Sequence, residues 1–69
     1  MRITYDKEAD AAYIYIKYPI KKGEAKKTIP TDAGPIFDFD KKSKLLGIEI
    51  LDASKVLNKK FLKEAKRID

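Results

Sequence analysis

Ala12-Tyr13-Ile14-Tyr15-Ile16-Lys17-Tyr18 is the stretch on which the fold turns. Ala12, Ile14 and Ile16 fall on one side of an extended chain, with Tyr13, Tyr15 and Lys17 on the other, the period of two that marks a strand. Pro19 has no amide hydrogen to give a ladder and closes the run. Working outward, residues 3–5 form a short β-prone run, separated from it by the polar turn Asp6-Lys7-Glu8-Ala9-Asp10. On the far side, residues 20–24 read as a lysine-rich loop turning on Gly23. Residues 25–29 are a weaker strand stopped by Pro30, and Asp32-Ala33-Gly34-Pro35 is dense turn chemistry. Residues 36–39 and 45–51 predict two more strands joined by Asp40-Lys41-Lys42-Ser43-Lys44, a length suited to a hairpin. Five short strands in succession predict an antiparallel meander over residues 2–51.

The pattern then changes. Residues 54–68 contain neither Gly nor Pro, and Leu57, Phe61, Ala65 and Ile68 recur at helical spacing. Asp52 or Ser54 offers a side-chain oxygen to cap the first turn, and Lys66 and Arg67 sit where a helix dipole favours cations. The expected fold is a single α+β domain over residues 1–69. It comprises an antiparallel β-meander of four to five short strands, with one C-terminal amphipathic helix (54–68) packed on one face.

Composition excludes much. With 69 residues the chain has room for one core, and at this size apolar burial barely exceeds the chain entropy it must overcome. Neither cysteine nor histidine is present, so no disulfide and no ordinary structural zinc contributes. Self-association or tight, heat-adapted packing are the expected compensations. The lysine-rich, amide-poor usage fits a thermophile, and an AT-rich genome would produce the same lysine bias. The absence of His and Cys also removes the Ser-His-Asp triad, the cysteine nucleophile and the common zinc hydrolases. Ser43 and Ser54, the two serines, lie outside any nucleophile elbow. An enzyme is not expected, nor a cofactor, nor a bound metal. No long apolar window and no leader peptide open the chain, which predicts a cytoplasmic protein without membrane contact.

Three groups of residues are candidates for function. If Ile14 faces the helix, Tyr13 and Tyr15 face away from it, and paired tyrosines on an open sheet face suit a protein interface. Glu49 falls on the same face and would fix register by polar bonds. Lysine stems and neighbouring side chains shielding the rings within one molecule is the plainer alternative. The second group is basic: from residue 54 onward six cations face two carboxylates. Lys55, Lys59, Lys60, Lys63, Lys66 and Arg67 would meet a nucleic-acid backbone in a salt-sensitive way, or simply form a solvated face. The third is acidic. Asp6, Asp10 and Glu49 would support acid–base chemistry if they converged. Asp38, Asp40 and Glu49 stand at calcium-loop spacing, but Lys42 occupies a ligand position and Ser43 that of the turn glycine.

Tyr5-Asp6, Asp10-Ala11-Ala12-Tyr13-Ile14, Asp38-Phe39-Asp40 and Gly47-Ile48-Glu49-Ile50-Leu51-Asp52-Ala53-Ser54 follow one another in an order and spacing that resembles the small prokaryotic "domain of unknown function 2283" family. The resemblance spans nearly the whole chain, and Ser43 departs from it where members usually carry glycine. It implies a compact, mainly β fold with a terminal helix and no established activity or active-site residue. For part of the family it implies an antitoxin-like binding role. Together the residues and the resemblance predict a non-catalytic protein-interaction module, a homodimer or the holder of a small protein partner, with nucleic-acid binding as the alternative.

Overall fold

The computed structural model describes residues 2–67, and for Lys66 and Arg67 the backbone alone. Strands β1 (Arg2–Asp6), β2 (Ala11–Tyr15), β3 (Lys27–Pro30), β4 (Ile36–Phe39) and β5 (Leu45–Leu51) are followed by helices α1 (Ala53–Val56) and α2 (Lys59–Glu64). A two-residue strand β6 (Lys66–Arg67) ends the described chain. The five long strands pair antiparallel, and β6 adds in parallel to β1 through Thr4↔Lys66 and Tyr5↔Arg67. Among the described residues no helix is long and apolar enough to cross a membrane.

The strand order is β3-β4-β5-β2-β1-β6, so the meander expectation is corrected. β3-β4-β5 is a meander and β1-β2 a hairpin, but the two join through β2 and β5 rather than β2 and β3. The reason is apolar content. β5 (Leu-Leu-Gly-Ile-Glu-Ile-Leu) is apolar on most positions and takes the centre, where Ala12 and Ile14 of β2 meet Ile50 and Ile48. β3 carries Lys27, Thr28 and Pro30, and all four of its residues are exposed. A proline in a strand is tolerated at an edge, and β3 occupies one.

Strand ends follow from local hydrogen bonding. Asp6 Oδ1 accepts from the amides of Glu8 and Ala9, both at 3.1 Å, which turns the chain, and Asp10 completes the turn at φ 53°. β2 stops at Tyr15, short of the predicted Tyr18. The amides of Ile16 and Lys17 both donate to Leu46 O, at 2.9 and 3.0 Å, and break the ladder there. In the β4–β5 hairpin, Asp40 Oδ1 accepts from Lys42 N (2.8 Å) and Lys44 N (2.9 Å). The Lys44 amide holds the Asp40 carboxyl below the usual carboxylate range, aided by that of Lys42.

This turn forces Ser43 to φ 63°, the left-handed region that disfavours a side chain. Ser43→Gly therefore stabilises the protein by about 0.5–1 kcal/mol, the relief of the left-handed strain less the added freedom of the unfolded chain. A higher urea midpoint at unchanged slope is the expected reading; a lower one would mean the serine hydroxyl holds the turn.

The expected single helix is two. Leu57 leaves helical geometry (φ −102°, ψ 148°), and Asn58 then caps α2 by accepting from Lys60 N at 2.8 Å. The break resets the helical phase, so Leu62 rather than Phe61 enters the core. Asp52 precedes α1 in the left-handed region without a side-chain capping bond, and Ser54 does not cap through its own oxygen; the cap comes from Asp10. Lys66 and Arg67 leave the predicted helix for β6, and Ile68 lies outside the described residues.

The core sits between the helices and the β1-β2-β5 part of the sheet. Tyr5, Ala12, Ile50, Ala53, Leu62 and Ala65 are buried there, with Ile3, Ile14, Ile48 and Leu57 packed around them. A sheet of apolar rows covered by short helices on one face satisfies the two-layer rule over half of its width only.

Candidate functional site

The face opposite the helices carries the tyrosines. Tyr13 and Tyr15, two residues apart on β2, point away from Ile14 as alternation requires. Their rings meet edge-to-face, centroids 4.7 Å apart at 63°. Tyr18 continues the row against Tyr15 at 5.0 Å and 88°, and the Arg2 guanidinium lies 4.2 Å from the Tyr18 ring centre. Arg2 Nε is buried with no hydrogen-bond partner among the described residues.

Tyr18 and Arg2 are members of this row that alternation from Tyr13 does not find. On strict parity Tyr18 would share the side of Ile14 and Ile16. The doubled donation to Leu46 O slips the alternation by one residue, and Tyr18, 55% exposed, lands beside Tyr15.

Glu49 pairs with Tyr13 across β2–β5, on the face the sequence assigned it. Tyr13 itself is half-buried and engaged. Its hydroxyl donates to Asp38 Oδ2 at 2.8 Å, and Thr28 Oγ1 donates to Asp38 Oδ1 at 2.7 Å. To reach Asp38 the ring crosses Gly47, which pairs with Tyr15 on one side and Asp38 on the other and is buried. Asp38 thus ties β3, β4 and β2 together, while Asp40 serves the hairpin turn. Neither joins Glu49 in a calcium loop.

Burial, then the bond to Asp38, raises the Tyr13 phenol well above its ordinary value. A group whose folded pKa lies above its unfolded one contributes stability below the unfolded value, near pH 10, and loses it as pH rises through the folded one. Stability relative to Tyr13→Phe should therefore fall as pH climbs past about 10. Chemical denaturation across that range measures it, and a constant difference would disconnect the phenol from the fold.

Asp10 is a second junction. Tyr5 hydroxyl donates to its Oδ1 at 2.7 Å, the Ser54 amide donates to the same oxygen at 3.0 Å, and Ser54 Oγ donates to Oδ2 at 2.7 Å. The Ser54 hydroxyl, followed by the Tyr5 hydroxyl, holds the carboxyl below its ordinary range. Asp6, Asp10 and Glu49 do not converge: Asp6 bonds its own turn, Asp10 bonds the start of α1, and Glu49 lies on the tyrosine face. Among the described residues no group of three or more acidic side chains is placed to hold a metal ion.

The basic candidates divide. Lys55 lies on α1, whereas Lys59, Lys60 and Lys63 lie on α2. Lys59 and Lys63 line an open groove of about 470 Å³ with Lys7, above Tyr5 and Leu62. Lys7 comes from the β1–β2 turn, a partner that the C-terminal charge run alone does not reveal.

A family model described as a protein of unknown function (DUF2283) matches residues 2–54, from β1 into the first turn of α1. No curated protein and no solved structure matches the chain.

Proposed function

The chain belongs to the DUF2283 family, and we propose that it is a small, cytoplasmic, non-catalytic protein-interaction module that self-associates and offers Tyr13, Tyr15 and Glu49 to a small protein partner. One observation carries this reading. An edge-to-face row of three tyrosines ends in an arginine and runs across the sheet face opposite the described helices. Rings of this kind contribute large contact area with few rotatable bonds, and tyrosine and arginine dominate the energetic centres of interfaces. Glu49 beside Tyr13 adds a polar group that would set the partner's register. Tyr13, already bonded to Asp38, acts as the rigid floor of the contact, while Tyr15 and Tyr18 meet the partner. The antitoxin-like role implied by the resemblance is one form such binding would take.

The test is affinity capture from the native host with wild-type protein and Tyr15→Ala/Tyr18→Ala as baits. A stoichiometric protein held by the first and lost by the second supports the reading. Equal capture by both baits would move the contact off this face, and capture of nothing would remove the hetero-partner.

A second reading rests on the groove where Lys7 joins Lys59 and Lys63. Three lysines lining one cleft suit the phosphates of a nucleic-acid backbone, with affinity falling steeply as salt rises. Replacing Lys7, Lys59 and Lys63 by glutamine should then weaken binding to a mixed-sequence DNA duplex and flatten its salt dependence. Unchanged affinity would exclude this surface.

A further inference from the structure

We propose that a second copy of this chain packs face to face, across a two-fold axis, on the β3–β4 half of the helix-side sheet surface, with Ile29, Phe37 and Phe39 at the centre of the contact. The proposal rests on the self-association part of the reading above and supplies its surface.

The register puts these residues on one face. Ile29 pairs with Phe37, Phe37 with Ile48 and Ile48 with Ile14, so all four point the way of the helical core. Phe39, two residues beyond Phe37, shares that face and pairs with Lys27 and Leu45. The helices stop short of this half: the core cluster is drawn from β1, β2, β5 and the two helices. Ile29 is 41% exposed, and both phenylalanines remain partly open. This half of the sheet therefore lies outside the helix-covered core and leaves its apolar side part-open, an arrangement that folded domains normally complete with a second layer.

Three features select a copy of the same chain as that layer. The chain has no cysteine to staple so small a core, and burying this face against a copy would supply support of the kind small domains need. The rim is self-complementary in charge. At the Phe39 end Glu24, Lys26, Asp40, Lys41 and Lys42 converge around one cleft, and the Lys26 amide donates to Phe39 O at 2.9 Å. A two-fold axis can set lysines of one copy against carboxylates of the other, as an isologous contact requires. The free edge is also blunted. Pro30 lacks an amide hydrogen and Lys27 carries charge, so joining the copies through the β3 edge is disfavoured relative to packing on its face.

The contact is modest in size. Two strands about 4.8 Å apart, each about four residues long, give an apolar centre of roughly 10 by 13 Å. Such a centre with a polar rim fits a concentration-dependent dimer rather than an obligate one.

Light scattering over a range of concentrations on wild type, Ile29→Glu and Tyr15→Ala/Tyr18→Ala tests the inference. Ile29 is exposed in the monomer, so its substitution leaves the fold intact, which circular dichroism verifies. The expected result is a wild-type dimer, at least tenfold weaker in Ile29→Glu and unchanged in the tyrosine variant. A wild type that stays monomeric overturns both the inference and self-association. A dimer insensitive to Ile29→Glu overturns the placement alone. Should Ile29→Glu fail to fold, concentration-dependent amide shifts of the wild type decide: changes centred on Ile29, Phe37 and Phe39 support the contact, and changes centred on Tyr15 and Tyr18 overturn it.

Discussion

Gly47→Ala lowers stability by about 2–3 kcal/mol, although a glycine-to-alanine change inside a strand ordinarily raises it by about 0.5–1 kcal/mol. The reversal comes from Tyr13. A Cβ on Gly47 would collide with the Tyr13 ring and hydroxyl, which lie flat across the glycine on the way to Asp38. The ring must swing out, and with it go the bond to Asp38 and the edge contact with Tyr15. Overpacking of this kind typically costs about 1–3 kcal/mol and a lost part-buried hydrogen bond about 1 kcal/mol, partly offset by relaxation. The decisive measurement is a double-mutant cycle with Tyr13→Ala, read by urea denaturation. Once the ring is gone, Gly47→Ala should be neutral or stabilising. An equal penalty in both backgrounds would mean that the glycine is needed for its backbone and that Tyr13 does not select it.

The same row shows how far the sequence was legible. The faces of β2 could be read because Ala12 and Ile14 alternate with Tyr13 and Tyr15, and the burial of apolar side chains decides such a pattern locally. The ends of β4 and β5 were legible for the same reason, with Asp40 and the following lysines marking the turn between them. The order of the strands was not. β2 and β3 are neighbours in the chain, yet β3 goes to the edge and β5 to the centre, and what sorts them is the apolar content of strands far apart in sequence. Periodicity also failed where the local backbone changed its phase. The Leu46 carbonyl, accepting twice, moved Tyr18 to the tyrosine face. The break at Leu57 and Asn58 exchanged Leu62 for Phe61 in the core.

The candidate site divides along similar lines. Tyr13, Tyr15 and Glu49 share the face that period-two reasoning assigns them. The partners that define their chemistry, Asp38, Gly47 and Arg2, come from three other strands and carry no signal in the β2 sequence. Asp10 is the clearest instance. Between Asp6 and Ala11 it reads as one more polar turn residue, whereas its carboxylate bonds Ser54, 44 positions further on. Its second partner, Tyr5, is equally uninformative alone: a tyrosine in an apolar strand says nothing of where its hydroxyl ends.

From that junction comes the second large effect. Asp10→Ala should lower the melting temperature by roughly 10 °C or more, the order expected when a small domain loses a helix cap together with two further side-chain hydrogen bonds. Two causes are mixed in that variant. Asp10 stands at φ 53°, where alanine is strained, and its carboxylate accepts three hydrogen bonds that alanine cannot replace. Asp10→Gly separates them, since glycine relieves the strain and still lacks the carboxylate, so most of the drop should persist. Asp10→Asn keeps an acceptor oxygen and should fall between. The charge makes a further prediction with a definite sign. The folded carboxyl titrates below its ordinary range, so its contribution is full above the unfolded value, near pH 4, and is lost as pH falls through the folded one. Asp40 and Glu24 are shifted the same way, Glu24 by its pairing with Lys17 and the Lys21 amide. Wild type should therefore lose stability below about pH 4, and Asp10→Asn should lose less over the same interval. If Asp10→Gly melts with the wild type, the turn needs only its backbone angle, and the link from the β1–β2 turn to α1 through Ser54 holds nothing together.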